Sequence, residues 1–141
     1  MIQDQLNVVR ERFPGTHSIV LSDKDGVEIV SSPPSVLSDF EARRNSQIVS
    51  TIFYLLDEQS QKLSDFGRTE YLISEYGDQS LLIQAKFSQV IMTCKADRMK
   101  MSDMDVIDLV HQTESLLSDI LEKLALIAQS YCNDTVFLLE Y

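Results

Sequence analysis

Basic residues are scarce in this chain: 12 Lys and Arg stand against 22 Asp and Glu in 141 residues, a formal net charge of -10. So acidic a surface repels phosphates, which excludes nucleic acid as a ligand and direct adhesion to an anionic membrane. Any membrane location must come through a partner. Cysteine is nearly absent too. Cys94 and Cys132 are too few for a disulfide framework and have no metal-ligand spacing, so both read as reduced and structural. Glycine is sparse, and Gly15, Gly26, Gly67 and Gly77 stand singly between elements. Phosphate-cradling loops need clustered glycines opening a helix, so neither a dinucleotide fingerprint nor a P-loop is present. No apolar run approaches the roughly 20 residues of a bilayer span, and the longest candidate, around Ile48 to Leu56, is broken by Ser50 and Thr51. The N-terminus, MIQDQLNVV, has neither a basic start nor a signal-like apolar core, and the chain reads as cytosolic. Asn133-Asp134-Thr135 fits a glycosylation sequon, but a chain without a secretory signal does not meet the transferase.

What remains is globular. With 44% hydrophobic and 24% charged residues the composition is that of one domain, large enough to bury roughly two thirds of its unfolded surface. Ile2, Leu6, Val9 and Phe13 fall on one stripe at helical spacing, and Pro14-Gly15 ends that first helix. Residues 15–30, GTHSIVLSDKDGVEIV, then place two apolar, partly β-branched runs on either side of Asp25-Gly26, the signal of a β-hairpin. Ser31-Ser32-Pro33-Pro34-Ser35 is a stiff loop. Ser38-Asp39-Phe40-Glu41 is a capping box that starts a second helix running to about Leu63. Its apolar residues Ile48, Val49, Ile52, Phe53, Leu55, Leu56 and Leu63 cover an arc of roughly 160°, wider than one covered surface needs. So wide a face predicts two contacts, one with the chain's own sheet and one with a second protein.

Three more strands are predicted over 69–76, 80–87 and 89–96, and residues 97–101, DRMKM, read as a charged, mobile linker. A second capping box, Ser102-Asp103-Met104-Asp105, starts a third helix extending to about Ser130. Val106, Leu109, Val110, Leu116, Leu117, Ile120, Leu121, Leu124 and Ile127 line its sheet-covering side. The expected architecture is α+β, an α/β sandwich of order α-β-β-α-β-β-β-α with a five-stranded antiparallel sheet. It occupies residues 1–130. Residues 131–141 form a C-terminal extension in which Val136 to Leu139 are too apolar for a free terminus.

Chemistry finds no carrier. Asp23-Lys24-Asp25-Gly26 suggests a calcium loop, but with Gly26 at loop position six, Leu21 and Ser32 occupy positions one and twelve, where charged ligands belong. His17 and His111 have no ligand or nucleophile neighbour at a useful spacing, and Cys94 packs as a small apolar side chain. No catalytic residue, cofactor site or metal site is expected.

The first hairpin, THSIVLSDKDGVEIV, and the order of elements after it resemble the Roadblock / dynein light chain superfamily. Within that superfamily the chain is most similar to the family of Ragulator MAP kinase scaffold subunits, the late endosomal and lysosomal adaptors. The resemblance implies a non-catalytic scaffold that heterodimerises with a second Roadblock-domain subunit through the second helix, Glu41 to Leu63, and the third strand, Thr69 to Tyr76. The partner interface is then expected at Ile48, Val49, Ile52, Phe53, Leu56, Tyr71 and Ile73. It further implies a complex on the cytosolic face of late endosomes and lysosomes. There a lipidated Ragulator scaffold subunit holds the pair, Rag GTPases are recruited for TOR signalling, and a MAP kinase kinase and its MAP kinase are bound. The alternative is another Roadblock member, a dynein light chain or a small-GTPase regulator. The usual scaffold subunit ends near the close of the third helix, so the extension departs from that pattern.

Overall fold

A computed structural model describes residues 2–23, 25–34, 40–63 and 69–120. The elements follow the expected order: α1 (Ile2–Arg12), β1 (Thr16–Ser22), β2 (Glu28–Ser32), α2 (Phe40–Ser60), β3 (Tyr71–Glu75), β4 (Ser80–Phe87) and β5 (Val90–Asp97), then a helix, α3, over 103–120. The strands form one five-stranded sheet in the order β2-β1-β5-β4-β3, and every pairing in it is antiparallel. The edges are therefore β2 and β3.

Alternation sorts the side chains onto two faces. On one, Ile19 and Leu21 of β1, Leu81, Ile83, Ala85 and Phe87 of β4, and Met92, Cys94 and Ala96 of β5 join Leu6 and Val9 of α1 and Val106, Leu109, Val110 and Leu117 of α3 in the main core. The two terminal helices thus cover that face. Leu116 packs half-buried against the same core. The opposite face is more polar, with Ser22 and Gln84 buried in it beside Ile91, and α2 lies there. Gln84 Nε2 donates to the Val49 carbonyl of α2 at 3.0 Å, giving a buried amide a partner and pinning helix to sheet.

The hairpin turn is built as the Asp-Gly signal requires. Asp23 Oδ1 accepts from the amides of Asp25 at 2.9 Å and Val27 at 3.0 Å, and the Gly26 amide donates to the Asp23 carbonyl at 3.1 Å. Gly26 sits at φ 82°, where an L side chain is strained. A Cβ there would also stand 2.7 Å from the Cα of Gln47, so the turn packs directly on the backbone of α2.

The expectation of a mobile linker at 97–101 is corrected. Asp97 N donates to the Gly15 carbonyl at 2.8 Å and Arg98 N to the Gln79 carbonyl at 2.8 Å, while Met101 is buried. Arg98 also pairs with Asp103 at 3.0 Å and Glu75 at 3.7 Å. Charge made the segment read as solvated, yet its backbone is tied on both sides. The capping box at α3 forms as expected, with Ser102 N donating to Asp105 Oδ2 at 3.0 Å and Asp105 N to Ser102 Oγ at 3.1 Å. The box at Ser38, the α3 residues beyond Ile120, Cys132 and the extension 131–141 lie outside the described residues.

Candidate functional site

Helical phase divides α2 into three sides. Phe53, Ser50 and Asp57 are buried and share the side that faces the sheet. Tyr54 and Gln47 lie on one flank, and this flank is turned toward the β1–β2 hairpin, because Gly26 packs on Gln47. Burial first, and then the charges of Asp25, Asp57 and Asp23, raise the Tyr54 phenol above its ordinary pKa. Lys86 of β4 stands over the Tyr54 ring, its Nζ 5.3 Å from the centroid, a cation–π contact that helps seat the helix. The remaining side, from the top of the helix to the flank away from the hairpin, carries Ile48, Ile52, Leu55 and Leu56, and Leu63 follows in the turn beyond the helix end.

Those five residues are between 42% and 55% exposed. A run of large aliphatic side chains on one side of a helix is a contiguous apolar surface, not the scattered exposure normal on a monomer. β3, the edge strand, carries Ile73, which is 44% exposed and, paired with Ile83 of the main core, lies on the sheet face that α1 and α3 cover. An open edge strand and an uncovered apolar helix stripe are unpaired surfaces of the kind that another chain completes.

The structure places the sequence-predicted residues unequally. Ile48, Ile52 and Leu56 lie on the stripe and Ile73 on the edge. Val49 is half-buried at the border of the stripe, and Tyr71 is half-buried because it packs against the main core. Phe53 is a correction: fully buried beneath α2, it offers no side chain to a partner. Arg44, Gln47 and Thr51, absent from the expectation, line a shallow groove with Ile48 and Ile52. Apolar periodicity passes over such residues, and only their spacing of three and four along the helix marks them as neighbours of the stripe.

Elsewhere on the described surface, His111 lines a cavity with Glu70, Tyr71, Lys86 and Glu114. His17 and His111 are exposed, and burial pushes the Cys94 thiol up to about 12, far from a reactive thiolate. Among the described residues no group of three or more His, Cys, Asp or Glu is placed to hold a metal ion. No described helix is long and apolar enough to cross a membrane. One carboxylate oxygen of Asp23, Oδ1, accepts from two of its own loop amides.

Residues 1–124 match the family described as "Mitogen-activated protein kinase kinase 1 interacting". No curated protein matches the sequence. Among solved structures, the chain is similar to a Roadblock/LC7 domain from Streptomyces avermitilis, with TM-score 0.68 and 21% identity over 87% of this chain and 97% of that one. It is also similar to MglB of Myxococcus xanthus, with TM-score 0.68 and 14% identity over 84% of this chain and 96% of that one. Profilin IB of Acanthamoeba castellanii follows at TM-score 0.57 and 12% identity, covering 83% and 96%. At these identities the likeness establishes the fold, which is that of Roadblock/LC7 domains.

Proposed function

Because the chain belongs to the mitogen-activated protein kinase kinase 1 interacting family, we propose that it is a non-catalytic scaffold subunit. It pairs with a second Roadblock-domain subunit through the α2 stripe and the β3 edge. One observation carries this reading: α2 leaves Ile48, Ile52, Leu55 and Leu56 exposed, with Leu63 just beyond them, in a chain whose sheet ends in the open edge β3. A partner strand added to β3 extends the sheet, and a partner helix covers the stripe. Both contacts are satisfied by one chain of the same architecture. In the wider assembly, the pair is held on the cytosolic face of late endosomes and lysosomes by a lipidated scaffold subunit. It supports Rag GTPases in TOR signalling and binds a MAP kinase kinase and its MAP kinase. The family description supports the kinase partner, and the net charge of -10 supports attachment through a partner in place of direct adhesion to anionic lipid.

The test is isolation of the tagged chain from its own cells with and without Ile52→Glu, followed by identification of the bound chains. A second Roadblock-domain chain in equal amount, lost on the substitution, is the expected result. A chain recovered alone, or the same companion bound equally by the variant, overturns the reading.

A further inference from the structure

The α2 stripe has a cation at each end. Arg44 precedes Ile48 by one turn and Lys62 adjoins Leu63, and both are exposed. The ion pairs among the described residues, to Glu75 and Asp103, both belong to Arg98, so neither cation is neutralised there. Glu58, one turn before Lys62 and also exposed, lies on the flank toward Tyr54. The chain stays wound past the end of α2, with Lys62 N donating to the Gln59 carbonyl at 3.2 Å and Leu63 N to the Ser60 carbonyl at 3.0 Å. From Arg44 to Lys62 is about five turns, so the two cations share nearly one side of the helix, roughly 27 Å apart.

In a chain with 12 cations against 22 carboxylates, cations at both ends of the exposed apolar stripe are complementary to an apolar helix with carboxylates at both ends. They also oppose self-pairing. Two copies joined antiparallel through β3 are related by a twofold axis, which makes their α2 helices antiparallel as well. Laying the stripe on its own copy about its middle brings Arg44 of one within about a turn of Lys62 of the other, and the same repulsion recurs at the far end.

We infer that Arg44 and Lys62 determine partner specificity at this face, selecting a non-identical chain whose helix carries a carboxylate at each end of an apolar stripe and rejecting a second copy. This rests on the reading of α2 and β3 as the pairing face. The probe is the chain's own double variant, Arg44→Glu with Lys62→Glu, which keeps the stripe and presents the stated chemistry. Mixed with the unmodified chain at low ionic strength and measured by native mass spectrometry, it is expected to form the mixed pair about tenfold above the share that random pairing sets. Added salt reduces that excess. Arg44→Glu alone is expected to pair with itself more tightly than the unmodified chain, since the substituted position then faces Lys62 of the copy twice over. A mixed pair that is absent or at its random share, or self-pairing unchanged by Arg44→Glu, overturns the inference. Ile52→Glu in both chains separates the failures. A mixed pair that survives it does not use α2 and overturns the pairing face itself, whereas loss of an unenriched pair overturns only the role assigned to the cations.

Discussion

Ile52 and Phe53 are adjacent in sequence and about 100° apart on α2, and the account gives them opposite duties. Phe53 is fully buried and Ile52 is 45% exposed. Truncating a buried phenylalanine to alanine removes its transfer free energy and leaves a cavity, about 3–5 kcal/mol together. Among the described side chains of α2, Phe53 is the one large apolar residue that is buried against its own sheet, and Ser50 and Asp57 beside it are polar. With so little else apolar to close around the space, Phe53→Ala is expected near 4 kcal/mol. At a slope of about 2 kcal/mol/M this moves the urea midpoint down by roughly 2 M. Ile52→Ala loses only the part of the side chain already covered, about 1 kcal/mol, a shift of roughly 0.5 M. For binding the order is expected to invert, because the proposed pairing buries Ile52, which is half-exposed in the free chain. The assay is urea unfolding of the free variants, followed by recovery of each with its partner. Equal destabilisation by the two substitutions, or stronger loss of pairing from Phe53→Ala in the still-folded fraction, would refute the division of α2 into a sheet side and a partner side.

Gly26→Ala is expected to destabilise by at least about 1–3 kcal/mol, from φ strain and the clash with Gln47, as read by thermal unfolding. Asp23→Ala leaves two loop amides without their acceptor and is expected to lower stability by about 1–2 kcal/mol in the same assay. Calcium titration of the chain and of Asp23→Asn is expected to give no binding heat in either, since that carboxylate serves its own turn; micromolar binding lost on the substitution would contradict this. The folded Cys94 thiol is held up at about 12 while the unfolded one ionises near 9, so above pH 9 the unfolded state releases the proton and the folded state keeps it. Stability therefore falls with rising pH between about 9 and 12, by about 1.4 kcal/mol per unit, and Cys94→Ala is expected to remove that part of the slope in urea unfolding.

Much of the architecture was legible from spacing alone. The hairpin at Asp25-Gly26, the strand over 80–87 and the apolar side of α3 as far as Leu117 follow from period-two and period-3.6 patterns, and each is found where its residues placed it. The site was only half legible. A wide arc on α2 announces two contacts, but periodicity does not say which part of the arc meets the sheet, and Phe53 and Ile52 were assigned together for that reason. The decision belongs to long-range partners: Gly26 against Gln47 and Gln84 on the Val49 carbonyl fix the rotation of the helix, and both lie far from α2 in sequence. The same holds at 97–101, where backbone bonds to Gly15 and Gln79 order a stretch whose charges looked solvated.

Hydrogen exchange of the chain alone and in the assembly recovered from its own cells tests the pairing face most directly. Amides of Tyr71–Glu75 and of the exposed side of α2 from Ile48 to Leu56 are predicted to slow markedly in the assembly, while those of the opposite edge, Glu28–Ser32, keep their rates. Slowing at Glu28–Ser32 with Tyr71–Glu75 and α2 unchanged would contradict the account, for it would put the partner on the other edge of the sheet.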